Sequence, residues 1–307
     1  MKQISLKTYA KINISLDVTG VRDNGYHEVS MVMQAVDLSD DMTVSITPAE
    51  ENSIVLTCSR PDIPLDIKNT AYKAAHIIAE EYLQEADKYA IHIDIKKNIP
   101  AAAGMAGGSS NAAGVLMGLN ALLSLNLPME RLCALGKRIG ADVPFCIMAL
   151  AAADPTLGVA SGSACALAEG IGEILTPLPS AHMWAVLAKP PAGVSTAAVY
   201  KALDEITDYP HPDTNQVITG IKTKDTSLIK KGMANVLENV TLRDFPEVAD
   251  LKEMMSEYDD GITMMSGSGP TVFSLFEEEE KARAAYEKVK AQLNREDYAV
   301  FCVKTLK

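Results

Sequence analysis

Pro100-Ala-Ala-Ala-Gly104-Met105-Ala106-Gly107-Gly108-Ser109-Ser110-Asn111-Ala112-Ala113 is the stretch on which the reading of the fold turns. Its glycines let backbone approach a ligand where a Cβ would intervene. A helix opening at Ser109-Ser110 and running to about Leu125 would aim unpaired amides and a positive dipole end at an anion. The outline is a phosphate cradle. No Gly-Lys-Ser/Thr closes it as in a Walker loop, and the spacing is not Gly-x-Gly-x-x-Gly. A flexible loop before a capped helix is the alternative on these residues alone.

Upstream of the loop, Ile91, Ile93 and Ile95 alternate with His92 and Asp94, which predicts a strand. Before it, Ala71, Ala74, Ala75, Ile78 and Tyr82 recur at helical spacing and predict a helix over 68–84 with Asn69 at its cap. Downstream, Pro128 starts a helix bearing Leu132, Leu135 and Ile139. In Gly140-Ala-Asp142-Val-Pro144 a carboxylate follows that helix and precedes an expected strand, as a cap, a turn residue or a base. Residues 149–165 are small and lack either period, so they read as a loop and a domain junction, dividing the chain into 1–160 and 161–307.

The amino-terminal segment 4–18 alternates apolar and polar residues, with Lys11 and Asn13 sharing the polar face. A solvated face is the ordinary reading of such a lysine. Asn24-Gly25 signals a turn, and apolar residues resume at Val29, with further short strands expected near 42–47 and 53–58. Tyr26 and His27 follow the turn, where an aromatic residue either stacks on a base or joins the core. The second half predicts strands near 183–188, 271–276 and 298–304. It predicts helices near 195–206, 214–222, 227–239, 247–257 and 279–294. A second glycine stretch, Ser266-Gly-Ser-Gly269-Pro270-Thr271, is an ordinary turn or the opposite wall of the same cleft.

The chain has 307 residues, long enough for two domains, and its 48% hydrophobic and 22% charged residues exclude disordered and fibrous classes. The 28 Lys and Arg against 40 Asp and Glu give a net charge of -12, which disfavours nucleic acid as a partner. Five scattered cysteines without a C-x-x-C spacing indicate neither a disulfide framework nor a zinc site. With no apolar leader and no long apolar run, a cytoplasmic protein without membrane contact is expected. A monomer or weak homodimer is expected too.

Three separated segments, Ala10-Lys11-Ile-Asn13, Pro100 to Ala113 and Ser266 to Pro270, resemble in order and spacing the signature motifs of the GHMP kinase superfamily. Within it, several further segments are similar to the branch whose acceptor is a cytidine diphosphate-linked polyol. They are Gly25-Tyr26-His27-Glu28, Gly140 to Pro144, Ala166-Leu-Ala-Glu-Gly170-Ile-Gly-Glu173 and Lys189-Pro190 through Gly193 to Thr196.

The resemblance implies an α+β, two-domain kinase fold with the active site in the interdomain cleft. It also implies ATP-dependent phosphorylation of a tertiary 2-hydroxyl in isoprenoid precursor synthesis, with ATP and Mg2+ as cofactors. By the same resemblance Asp142 is the base, and Lys11 positions it, the hydroxyl and the phosphoryl group. Pro100, Gly104, Met105, Ala106, Gly107, Gly108, Ser109 and Ser110 wrap the ATP phosphates, and Asn69 lies near adenine. Tyr26 and Tyr200 stack on cytosine, His27 bonds its edge, Asn13 sits near the diphosphate or polyol, and no residue is a metal ligand.

Two departures from the resemblance stand out. Asn111 occupies a position where Asp is expected, and residues 149–165 add about a dozen residues, an insertion of small thermodynamic cost. Related readings are a GHMP kinase for mevalonate or homoserine, against which the Tyr26-His27 pair argues, and a catalytically silent nucleotide-binding protein, against which Lys11 and Asp142 argue.

Overall fold

The computed structural model describes residues 1–83, 88–160, 162–258 and 263–307. Its elements run β1 (Lys2–Val21), β2 (His27–Pro48), β3 (Ser53–Cys58), α1 (Thr70–Tyr82), β4 (Tyr89–Lys96), α2 (Gly107–Leu122), α3 (Met129–Lys137), α4 (Val143–Ala153), β5 (Cys165–Glu169), β6 (Ile174–Leu178) and β7 (Trp184–Lys189). There follow α5 (Thr196–Leu203), α6 (Thr214–Thr223), α7 (Thr226–Gly232), α8 (Glu238–Asp244), α9 (Pro246–Ser256), β8 (Thr263–Met265), β9 (Val272–Phe276), α10 (Glu279–Leu293) and β10 (Ala299–Lys304).

The chain divides into two units, each assembled from separated segments. The first comprises Met1–Ala10, Leu38–Ala101 and Ala106–Ala164; the second comprises Lys11–Asp37, Ala102–Met105 and Cys165–Lys307. The long strands β1 and β2 each contribute residues to both.

In the first unit, the carboxyl-terminal half of β2 pairs antiparallel with β4, from Asp41↔Lys96 to Pro48↔Tyr89, and β3 pairs parallel with β4. Ile91, Ile93 and Ile95 alternate inward from β4, as their period requires, and meet Ala74, Ala75 and Ile78 of α1 and Leu116 and Leu119 of α2 in one apolar core. Asn69 caps α1 as predicted, its Oδ1 accepting from the Ala71 amide at 2.9 Å. Gly136 lets α3 approach α4 closely: a Cβ there would stand 2.8 Å from Val143 Cγ1.

The second unit holds an antiparallel sheet in the order β10-β7-β9-β8. Helix α10 buries Ala282, Ala285 and Val289 at helical spacing, and Glu279 and Glu280 favour its amino-terminal dipole end. In the same unit Met31 to Gln34 of β2 pair with Cys165 to Ala168 of β5, and β5 pairs with β6. All five cysteines are free thiols; burial pushes Cys165 up to about 12 and Cys133 up to about 11. Among the described residues no helix is long and apolar enough to cross a membrane.

Several expectations are corrected. Residues 149–153 continue α4 instead of forming a loop, and Pro155–Leu157 make a 3-10 turn capped by Asp154. The segment after Asp142 is therefore a helix and not a strand. Val143 to Ala151 is buried on every side, so the sequence carries no amphipathic period to announce it. Leu157 and Val159 lie in the core of the first unit, and a Cβ on Gly162 would strike the Ala152 nitrogen at 2.1 Å. Residues 42–47 are the end of the continuous strand β2, α2 opens two residues before Ser109, and 227–239 breaks into α7 and the start of α8. Strands β5, β6 and β8 were not anticipated.

Candidate active site

In the first unit the first glycine stretch enters α2 through Ala106, whose φ of 56° and ψ of 25° place it in the left-handed region. No side chain caps this helix, so its first amides keep their hydrogen-bonding capacity. Gly107 and Gly108 have little room for a larger residue: a Cβ on Gly107 would lie 2.9 Å from Lys97 Nζ, and one on Gly108 would lie 3.2 Å from Thr70 Oγ1. Ser110 is turned inward, donating from Oγ to the Tyr9 carbonyl at 2.7 Å, which pins the first turn. Ser109 lies beside the turn that leads to Asp142, since a Cβ on Gly140 would be 3.8 Å from Ser109 Oγ. Asp142 stands at the start of α4 without capping it.

A buried polar network braces this loop from below. Lys97 pairs with Asp40, their side chains 5% and 0% exposed. Asp40 also accepts from the amides of Asn98 at 2.7 Å and Ile99 at 2.8 Å, and from Asn111 Nδ2 at 2.8 Å. Asn111 in turn accepts from Lys97 at 3.2 Å and donates to Thr8 Oγ1 at 2.8 Å. Asn111 is thus a neutral bridge between a lysine and an aspartate in the unit's interior. At the other end, Asn69 spends Nδ2 on the Pro64 carbonyl at 2.8 Å as well as capping α1. The neighbouring Leu65 and Ile67 are 51% and 47% exposed.

In the second unit Lys11 is buried at 4% exposure, contrary to the ordinary expectation for a strand lysine. Both faces of β1 are covered from Ala10 to Leu16, so the polar face enters the interior. Lys11 Nζ donates to Asn13 Oδ1 at 2.7 Å and to the Gly104 carbonyl at 3.2 Å, while the Lys11 amide donates to the Met105 carbonyl at 3.2 Å. The second glycine stretch meets this group. Ser266 Oγ donates to the Gly104 carbonyl at 3.0 Å, and Asn235 Nδ2 donates to the carbonyls of Met265 and Gly267 at 2.8 Å each. Asn235 had no sequence signal, because its role depends on a contact about thirty residues away.

Gly104 makes the approach of the two glycine stretches sterically possible. Its φ is +71°, and a Cβ would stand 2.2 Å from the Ser266 carbonyl oxygen and 2.9 Å from that of Gly269. Gly104→Ala is expected to cost roughly 2 kcal/mol or more, because left-handed strain and a backbone clash coincide. A urea denaturation series comparing the two proteins checks it; a loss under about 0.5 kcal/mol would contradict the close approach.

Elsewhere in the second unit, His27 and Tyr200 lie together with ring centroids 4.9 Å apart, and Tyr26 on the preceding turn is 58% exposed. His27 Nε2 is 2.8 Å from Asp204 Oδ1, a partner that sequence reading did not supply. His211, read from sequence as a structural or surface residue, pairs through Nδ1 with Asp17 at 2.6 Å and packs against Tyr209. Partial burial, with Asp17 and Asp204 adding to it, pushes the Tyr209 phenol above its ordinary value.

The predicted residues thus fall into two sets. Asn69, Pro100, Ala106, Gly107, Gly108, Ser109, Ser110 and Asp142 belong to the first unit, and Lys11, Asn13, Tyr26, His27, Gly104, Met105 and Tyr200 belong to the second.

Comparison with known proteins places this arrangement in a class. Residues 69–149 match the family profile of the GHMP kinases N terminal domain, and 217–295 match that of the GHMP kinases C terminal domain. The chain is therefore a GHMP kinase, an α+β phosphotransferase, and that family's chemistry implies use of ATP. Its relatives narrow the assignment. It is 44% identical over 285 residues to "4-diphosphocytidyl-2-C-methyl-D-erythritol kinase" of Geobacillus kaustophilus (strain HTA426), covering 92% of each chain. It is 46% identical to the protein of the same name from Alkaliphilus oremlandii (strain OhILAs), over 94% of this chain and 92% of that one.

A crystal structure of 4-(cytidine 5'-diphospho)-2C-methyl-D-erythritol kinase superposes with a TM-score of 0.73 at 29% identity, covering 98% of this chain and 99% of the other. Homoserine kinase from Cytophaga hutchinsonii, at 20% identity and a TM-score of 0.70, shares the fold. The chain belongs to the family of 4-diphosphocytidyl-2-C-methyl-D-erythritol kinases.

Proposed function

We propose that this chain transfers the γ-phosphoryl group of ATP to the 2-hydroxyl of 4-diphosphocytidyl-2-C-methyl-D-erythritol, a step in non-mevalonate isoprenoid precursor synthesis. The observation that carries the substrate choice is the exposed Tyr26 next to the His27–Tyr200 ring pair, which offers a base both a stacking face and a polar edge. A small alcohol such as homoserine or mevalonate has no base to use it.

ATP phosphates fit the uncapped start of α2, where Gly107, Gly108 and Ser109 present amides to anionic oxygens. Asn69 shapes the loop in which Leu65 and Ile67 offer an apolar surface to adenine. Pro100, Gly104, Met105 and Ala106 set the path of the loop. Mg2+ would accompany the ATP phosphates at the start of α2. When bound it supplies charge neutralisation at the transferring group.

Asp142 takes the proton of the 2-hydroxyl, and Lys11 orients the reacting groups from a fixed position set by Asn13 and Gly104. Asn13 lies beside the diphosphate or polyol. Phosphoryl transfer depends chiefly on such positioning and charge placement. An ADP-release assay with Mg2+-ATP and the cytidyl substrate, mevalonate or homoserine tests the reading. Turnover with the cytidyl substrate alone is expected, whereas preference for either small alcohol would overturn it.

A further inference from the structure

The His27 imidazole is held by one charged partner. Its side chain is 10% exposed, packs against Tyr200 at 4.9 Å, and has Nε2 at 2.8 Å from Asp204 Oδ1. Asp204 closes the carboxyl end of α5, four residues after Tyr200, so one helix carries both the ring neighbour and the carboxylate. Among the described residues no hydrogen bond engages Nδ1. A carboxylate only accepts, so in a neutral imidazole the proton must sit on Nε2 and Nδ1 must be the acceptor.

We propose that Asp204 is a specificity-determining positioning residue that fixes His27 as the Nε2–H tautomer and thereby selects an aminopyrimidine base over an oxopyrimidine. The inference rests on the cytidyl reading of the acceptor. Cytosine presents an exocyclic 4-amino donor, which a bare Nδ1 accepts. Uracil presents a 4-oxo acceptor in the same place, and two acceptors facing each other leave both unpaired. Discrimination between the bases would therefore originate in a carboxylate that need not touch either of them.

Two readouts on the intact protein test this at about pH 8.5, above the ordinary imidazole range. The first is the nitrogen chemical shifts of 15N-labelled His27, assigned through His27→Gln. The wild type is expected to show a protonated Nε2 and a bare Nδ1. Asp204→Asn, which can offer either an oxygen or an N–H to Nε2, is expected to show a tautomer mixture.

The second readout is kcat/KM for the cytidine diphosphate-linked polyol against its uridine diphosphate counterpart. The preference of the wild type is expected to fall roughly tenfold or more in Asp204→Asn, mainly through a lower KM for the uridyl substrate, whose 4-oxo group the Nδ1–H tautomer can donate to. A protonated Nδ1 in the wild type overturns the proposal. So does an equal KM increase for both substrates, which is what a merely structural Asp204 would produce. If the wild type turns over neither substrate, the cytidyl reading itself fails and base selection falls with it. Wild-type turnover with an unchanged base preference in the variant fails the Asp204 inference alone.

Discussion

Asp142→Asn is expected to lower kcat by roughly 10²- to 10⁴-fold, the usual contribution of a positioned general base. The substitution keeps the shape of the side chain and removes only its capacity to take the proton of the hydroxyl. Asp142 does not cap α4, and the helix behind it is held by the buried residues Val143 to Ala151. The variant should therefore fold and unfold as the parent does. KM for ATP is expected to change little, because the phosphates are assigned to the amides at the start of α2. Steady-state ADP release, with thermal unfolding as the control for folding, makes the measurement. A kcat within a few-fold of the parent would remove Asp142 from the role of base.

The largest expected loss of stability comes from Asp40→Ala. Asp40 is fully buried and accepts from the Lys97 ammonium, from Asn111 and from two consecutive amides, Asn98 and Ile99. Truncation leaves a lysine with 5% exposure facing an empty site and strips two backbone donors of their acceptor. Breaking a buried pair by removing one partner costs about 3–5 kcal/mol, mostly as the penalty of the uncompensated charge.

Urea denaturation should show the loss as a lower midpoint with an unchanged slope. The double substitution Asp40→Leu with Lys97→Met is expected to recover much of it, since both charges then disappear together. A loss below about 1 kcal/mol would instead identify the pair as one of ordinary surface strength. The network also bears on the site, because Lys97 Nζ stands 2.9 Å from the place a Cβ on Gly107 would take.

How much of this was legible in the sequence follows from what each signal encodes. The alternation of 4–18 located β1 and its two faces, because side chains alternate along any strand. It could not say that the polar face between Lys11 and Ser15 would be covered, because burial depends on elements far along the chain. The glycine loops were legible because glycine marks places where backbone comes close, and Gly104 against Ser266 and Gly269 is such a place. Helix α4 was missed because its side chains are apolar all round, which erases the period that reveals a half-exposed helix.

The same limit applies to the polar networks. Asp40 and Lys97 are 57 residues apart, and His27 and Asp204 are 177 apart. No spacing rule joins such residues. Each looks like an ordinary surface charge until strand pairing or helix packing brings its partner. Asn111, standing where Asp is expected, is a buried amide serving both an aspartate and a lysine.

The most direct test of the central claim is to find where the phosphoryl group goes. The full chain would be incubated with Mg2+-ATP and 4-diphosphocytidyl-2-C-methyl-D-erythritol carrying 13C at carbon 2, and the product examined by 31P and 13C spectroscopy. A new phosphate ester coupled to the labelled tertiary carbon, formed with one ADP per ester, is the predicted result. ADP released without that coupling, or a phosphate on any other oxygen, would contradict it.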